Sequence, residues 1–303
     1  MTYSIVARDP DTGQLGAAVQ TCNFGVGSIV TWALAGVGAV ATQAMGEPAY
    51  GQRCLESMAG GASAEEALDR ARDADPASFL RQVGVVDASG RATAFTGDFA
   101  FDHAGQKVGD GWSVQANMMA TPDVWPAMAA AYESASGPFG ARLLTALRAA
   151  EAAGGDARGR MSAAMLIVDG ERQAEPWQGK LVDIRVDHVV DDPLAELERL
   201  YHAALAYGSF NRAVETMLNG DAATSLTLAA SGLAELPGDV NLRFLQAGAR
   251  LAAGDADRGT AELQSLLRDQ PSFEVVIRCF HARGLVNLPA GVDIEAVIGT
   301  SNP

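Results

Sequence analysis

A hydroxyl residue stands directly behind the initiator methionine, in Met1-Thr2-Tyr3-Ser4-Ile5-Val6-Ala7-Arg8. Small second residues such as threonine permit methionine removal. With Met1 gone, Thr2 would carry a nucleophile, its Oγ, and a base, its own α-amine. A free α-amine titrates near about pH 7.7–8.0, so part of it is neutral under cellular conditions and can take a proton. The chemistry to expect is acyl transfer: attack on a carbonyl, an ester on Thr2, and its hydrolysis. Met-Thr also opens many chains by chance, so support must come from elsewhere in the sequence.

Three amides and one loop are candidates for that support. Gln115 and Asn117 sit two apart in the apolar stretch Val114-Gln115-Ala116-Asn117-Met118, so on a strand their side chains share a face. Buried amides demand partners. They can tie down neighbouring backbone, or they can aim N–H donors at a developing oxyanion. Gln43, ending Gly38-Ala39-Val40-Ala41-Thr42-Gln43, carries the same two readings. The run Gly154 to Ala164 packs Asp156, Arg160 and Ser162 into a short connection. It is either a helix C-cap and turn or a charged platform at a strand end.

Other motifs carry less. Gly36-Val37-Gly38-Ala39-Val40-Ala41 fits a loose dinucleotide fingerprint, but the residues after Gly38 read as a strand where that site needs a helix. Cys22 has no local histidine and reads as a small buried thiol. His103, His188, His202 and His281 show no metal-ligand spacing, so neither a metal nor another cofactor is expected.

The elements that must position these groups are legible as patterns. Thr2 to Arg8 and Leu15 to Thr21 read as strands around the turn sequence Asp9-Pro10-Asp11-Thr12-Gly13. Gly25 to Gln43 reads as one or two buried strands. Pro48 to Gly60 and Ala62 to Arg72 have helical spacing, with Ser63 and Glu66 set as a capping box. Strands return at Gln82 to Asp87, Arg91 to Phe95 and Trp112 to Met118. Helices follow from Thr121 to Ser134 and Pro138 to Ala152, then strands at Arg160 to Val168 and Leu181 to His188. This order of paired strands and paired helices predicts an α+β domain over 1–191, with two antiparallel sheets between helical layers, a four-layer αββα sandwich.

Past Val189-Val190-Asp191-Asp192-Pro193 the texture becomes alanine- and leucine-rich at helical spacing, and 192–303 is expected to be an all-α appendage. Gly220-Asp221-Ala222 recurs as Gly254-Asp255-Ala256, and Leu236-Pro237 is echoed by Gln270-Pro271, both 34 residues later. That period resembles the tetratricopeptide repeat.

The net charge of −15 disfavours polyanionic partners, nucleic acid and anionic membranes alike. No basic-then-apolar leader opens the chain, and no apolar run approaches about 18 residues. Three widely spaced cysteines suggest a reducing compartment, so a cytoplasmic location is expected.

Met1 to Asp9, Ala35 to Gln43, Pro48-Ala49-Tyr50-Gly51, Thr96-Gly97, Gln115 with Asn117, and the Gly154 to Ala164 run together resemble one family, called domain of unknown function 1028 and grouped with Ntn-hydrolase-like folds. The resemblance spans about 1–192 and implies an αββα sandwich without implying a substrate. Ala116 stands where glycine is expected, and Met161 where glutamine is. Neither Lys107 nor Lys180 sits where the proteasome branch keeps a lysine, so an arginine, chiefly Arg160, or neutral amides would serve. The expectation is an Ntn-type amidohydrolase acting on a small amide or peptide-like substrate, with Asn117 or Gln43 holding the oxyanion and Gln115, Asp156, Arg160 and Ser162 in support. The alternative is a binding or scaffold protein whose helical tail holds a protein partner. Self-association is open in either case.

Overall fold

The computed structural model describes residues 2–175, 177–283 and 293–298. The chain divides into two compact units, Met1–Tyr201 and His202–Pro303. The expected boundary was at 191/192. The observed one falls inside a helix, α5 (Pro193–Leu218).

The first unit is a mixed α+β structure with two antiparallel sheets. β1 (Thr2–Arg8) and β2 (Leu15–Thr21) form the expected hairpin. Its turn closes where Gly13, at φ +74°, donates its N–H to Asp9 O, and where Thr12 caps the Asp9 carboxylate. β3 (Thr31–Leu34), β4 (Gly38–Ala44), β5 (Arg81–Asp87) and β6 (Ala92–Thr96) follow. Gly38 thus opens a strand, and the glycine pattern there belongs to a β-turn. β3 is half-buried at a sheet edge, where a buried strand was expected. Next come β7 (Gly105–Gly109), β8 (Trp112–Asn117), β9 (Ser162–Val168) and β10 (Lys180–Val186).

The sheets run β10-β9-β2-β1-β8-β7 and β3-β4-β5-β6. Between them lies an aliphatic core that includes Val6, Ala17, Val19, Ala39, Ala41, Val86 and Leu166. Strand alternation turns the neighbouring residues outward. Val40, Val83 and Val85 pack against α1 (Ala49–Ala59) and α2 (Ala64–Asp73) through Tyr50, Cys54, Leu55 and Leu68. The Ser63–Glu66 capping box starts α2 as its sequence predicts. On the six-stranded sheet, α3 (Val124–Ser134) and α4 (Phe139–Ala152) pack on β1, β2, β7 and β8. Gly84 marks the close approach of the sheets: a Cβ there would run into the Gln115 amide and the Ser113 hydroxyl.

The second unit is helical, with α6 (Ala222–Glu235), α7 (Val240–Ala252), α8 (Ala256–Asp269), α9 (Glu274–Ala282) and α10 (Ile294–Ile298) after the end of α5. The 34-residue period reappears in burial: Ser225, Ala229 and Gly232 are the buried residues of α6, and Gly259, Leu263 and Leu266 those of α8. Gly220 and Gly254 make the preceding turns at φ +83° and +88°. Among the described residues no helix is long and apolar enough to cross a membrane.

Candidate active site

In the first hairpin Tyr3 pairs with Gln20, so the ends of β1 and β2 come level at Thr2 and Thr21. Their hydroxyls meet, Thr2 Oγ1 donating to Thr21 Oγ1 at 3.2 Å. The Arg158 guanidinium reaches Thr21 Oγ1 at 3.5 Å and Asp156 Oδ2 at 3.0 Å. The Asp156 carboxylate, fully buried, also accepts the Cys22 backbone N–H at 2.9 Å and so fixes the end of β2. A paired cation therefore stands one hydroxyl away from Thr2.

Thr2, buried but for 6% of its surface, lines a cavity of about 130 Å³ with Thr21, Asn23, Phe24, Gln43 and Gly46. A water's share of the liquid is about 30 Å³, so this is room for about four waters or a small acyl group. Ser162 holds the wall: its Oγ donates to Asn23 O at 2.5 Å and accepts the Val26 N–H at 3.2 Å. Asp156 and Ser162 thus stand behind the Thr2 cavity, bonded to the chain at Cys22, Asn23 and Val26.

The amides form a buried network behind the cavity. Gln43 Nε2 donates to Thr2 O at 3.1 Å and to Gln82 Oε1 at 2.7 Å. Asn117 Nδ2 lies 3.4 Å from Thr2 O and donates to Gln82 Oε1 at 3.0 Å. Gln115 Nε2 donates to Ser4 Oγ at 2.7 Å, and Ser4 Oγ donates to Gln43 Oε1 at 2.7 Å. Gln82 returns its own N–H groups to Thr96 Oγ1 and Ala116 O, both at 2.9 Å. The NH2 groups of Gln43 and Asn117 therefore point back into the chain, not at a bound carbonyl. Of the two readings open for these amides, the geometry takes the first: they clamp the backbone of Thr2. Burial is the reason, because an amide with no access to water must spend its donors on fixed acceptors.

Arg160 does not join the site. It pairs with Glu151 of α4 at 3.5 Å, and Glu151 also accepts the Tyr3 hydroxyl at 2.7 Å. Tyr3 points to the helical face of the six-stranded sheet and Thr2 to the other, so the arginine beside the Thr2–Thr21 pair is Arg158 and not Arg160. Burial, reinforced by the Glu151 charge, holds the Tyr3 phenol well above its usual range, which keeps it neutral. Cys22 is half-buried, not buried as expected, with Sγ 3.5 Å from Arg158 O. Thr21, Arg158 and Gln82 were not among the residues singled out from sequence. Thr21 was within reach, since the hairpin register places it beside Thr2. Removal of Met1 concerns a residue outside the described ones.

Four non-glycine residues have positive φ among the described residues: Ala44 (72°), Phe101 (76°), His103 (48°) and Met118 (55°). Ala44 lines the Thr2 cavity, and the other three line a second one with Asp102, Met119 and Ala157. Such strain costs about 1–3 kcal/mol per residue and gathers at functional sites. Among the described residues no three His, Cys, Asp or Glu side chains gather as a metal-binding group.

A family model described as a family of unknown function, DUF1028, matches residues 2–197. No curated protein matches the chain. The crystal structure of protein SPO2555 from Silicibacter pomeroyi, assigned to the same family, is similar at 34% identity and a TM-score of 0.61, over 67% of this chain and 85% of that one. With the family model covering well over half of the sequence, the chain belongs to the DUF1028 family.

Proposed function

We propose that this chain is an N-terminal-nucleophile amidohydrolase, acting on a small amide or peptide-like bond from a four-layer αββα frame of the Ntn-hydrolase kind. The observation that carries the reading is the Thr2 side chain in a cavity wall, its hydroxyl bonded to Thr21 and that hydroxyl bonded to Arg158. Thr2 Oγ attacks the carbonyl carbon and its proton passes to the Thr2 α-amine, freed by Met1 removal. The amine hands that proton to the leaving nitrogen as the C–N bond breaks. Water then cleaves the Thr2 ester, releasing the acid and restoring the hydroxyl. Gln43 and Asn117 hold the main chain of Thr2, and backbone N–H groups in the cavity wall, at Asn23 or Gly46, receive the oxyanion. The cytosol suits this reading, because an aminopeptidase there can expose Thr2.

The test is a panel of small amides offered to full-length protein lacking Met1. Acid release by the wild type, retained in Thr2→Ser and abolished in Thr2→Ala, is expected. Equal release by Thr2→Ala would remove the assignment.

A second reading, a non-catalytic binding protein with a tetratricopeptide-like tail, is favoured by one observation in the second unit. An apolar cavity of about 160 Å³ lies among Met217, Leu218, Phe244, Leu245 and Phe280, of which Leu218 is 66% exposed. Such a surface suits an apolar peptide side chain.

A further inference from the structure

The wall of the Thr2 cavity is shared. Ala44 and Gly46 face that cavity, and Met45 between them lines a larger bowl of about 490 Å³ with Leu80, Asp98, Phe99, Phe101 and Asp102. The bowl is open and apolar at its sides. Phe99 is 67% exposed and Met45 50%, and the Phe99 ring stands edge-on to Phe79 at 5.6 Å. Exposed aromatics gathered around a concavity call for an occupant.

Two carboxylates, Asp98 and Asp102, border this apolar surface. Neither enters a hydrogen bond or ion pair among the described residues. Arg81 donates to Met45 O and pairs with Asp75 at 2.9 Å, so its charge is committed. His103, in the second cavity with Phe101 and Asp102, has its Nδ1 on Met119 O at 2.9 Å. The bowl therefore offers negative charge beside aromatic and thioether surface, and Arg81, held at Met45 O, is already paired with Asp75. That combination recognises an organic cation on an apolar stem, through charge attraction and aromatic faces together.

Resting on the hydrolase reading above, we infer that the bowl receives the cationic end of the leaving amine. The Thr2 cavity, at about 130 Å³, has room for a small acyl group, and Met45, the chain neighbour of its lining residues Ala44 and Gly46, lines the larger bowl that would take the remainder of the substrate. The substrate class is then an amide between a small carboxylic acid and an amine that carries a second protonated amino or guanidino group.

The experiment compares N-acetyl-1,5-diaminopentane with N-hexylacetamide, which has a methyl group in place of the ammonium. Each is titrated into the full-length chain at low salt by ligand-observed NMR, and acetate release is followed in the same samples. The cationic amide is expected to bind about tenfold more tightly. The double variant Asp98→Asn, Asp102→Asn should lose that preference with an unchanged melting temperature, since both side chains are exposed. Equal binding of the two amides, binding of neither, or a preference that survives the double substitution would overturn the inference. Loss of the preference with no acetate released by the wild type leaves the cation site standing and removes the hydrolase reading. Equal cleavage of both amides by both proteins does the reverse.

Discussion

Thr2 Oγ1 lies 3.2 Å from Thr21 Oγ1, where the first hairpin brings the ends of its two strands level. Behind Thr21 stand Arg158 and the buried Asp156. Thr21→Val keeps the shape of the side chain and removes the hydroxyl that orients Thr2. Turnover of a cleaved amide should fall about 10- to 100-fold, with KM little changed and the melting temperature within a few degrees of wild type. Thr21→Ser should retain most of the rate. Steady-state kinetics with parallel thermal melts check this, and an unaffected rate in Thr21→Val would show that the contact is only structural.

Gln82 accepts from both Gln43 and Asn117 through one buried oxygen. Gln82→Leu takes one acceptor from each of these two buried NH2 groups, which keep only their contacts to main-chain oxygens. Each such loss costs about 1–3 kcal/mol, so a loss of about 3 kcal/mol is expected in urea unfolding of the first unit. A loss below about 0.5 kcal/mol would mean that the network relaxes around the gap.

Three carboxylates make stability depend on pH. Burial alone would raise the pKa of each of Asp9, Asp75 and Asp87. Hydrogen bonds and arginines outweigh it: Thr12 and Arg142 at Asp9, Arg81 at Asp75, and Ser89, Ala64 N–H and Arg91 at Asp87. All three are held below the usual carboxylate value of about 3.9. A depressed folded pKa contributes stability that is complete above the unfolded value and lost as pH falls through the folded one. Chemical denaturation between pH 5 and pH 2 should show that loss below about pH 4, with a shallower decline in Asp87→Asn.

The first unit extends to Tyr201. The Tyr201 ring covers Gly140 of α4, and Arg148 of α4 pairs with Asp192 at 3.0 Å and Glu198 at 3.1 Å. A fragment ending at residue 203 should fold and melt several degrees above one ending at 190, which lacks all three partners. Equal melting temperatures would mean that these contacts add nothing to the unit.

Much of the α+β organisation was legible because its signals are local. The Asp9 to Gly13 turn, the Ser63 capping box and the alternation through Gln115 and Asn117 each lie within a few residues. What was not legible is non-local or depends on a single turn. β7 is Gly105-Gln106-Lys107-Val108-Gly109, glycine-bounded and without alternation, and it is a strand because β8 lies beside it. Gln82 becomes the hub of the amides only once β5 is laid across from β8. Arg158 and Arg160 were distinguishable only through Gly159, whose φ of +104° turns the chain between them before β9 begins at Ser162. The first arginine faces Thr21 and the second faces Glu151.

The central claim is that Thr2 is the nucleophile, and covalent capture tests it most directly. Protein purified from its own host is incubated with a small β-lactone, an electrophile that acylates an activated hydroxyl, and analysed by intact mass and peptide mapping. One adduct per chain, on an N-terminal Thr2 and absent in Thr2→Ala, is the predicted result. Full retention of Met1 with no adduct, or an adduct that maps to Cys22 and persists in Thr2→Ala, would contradict it.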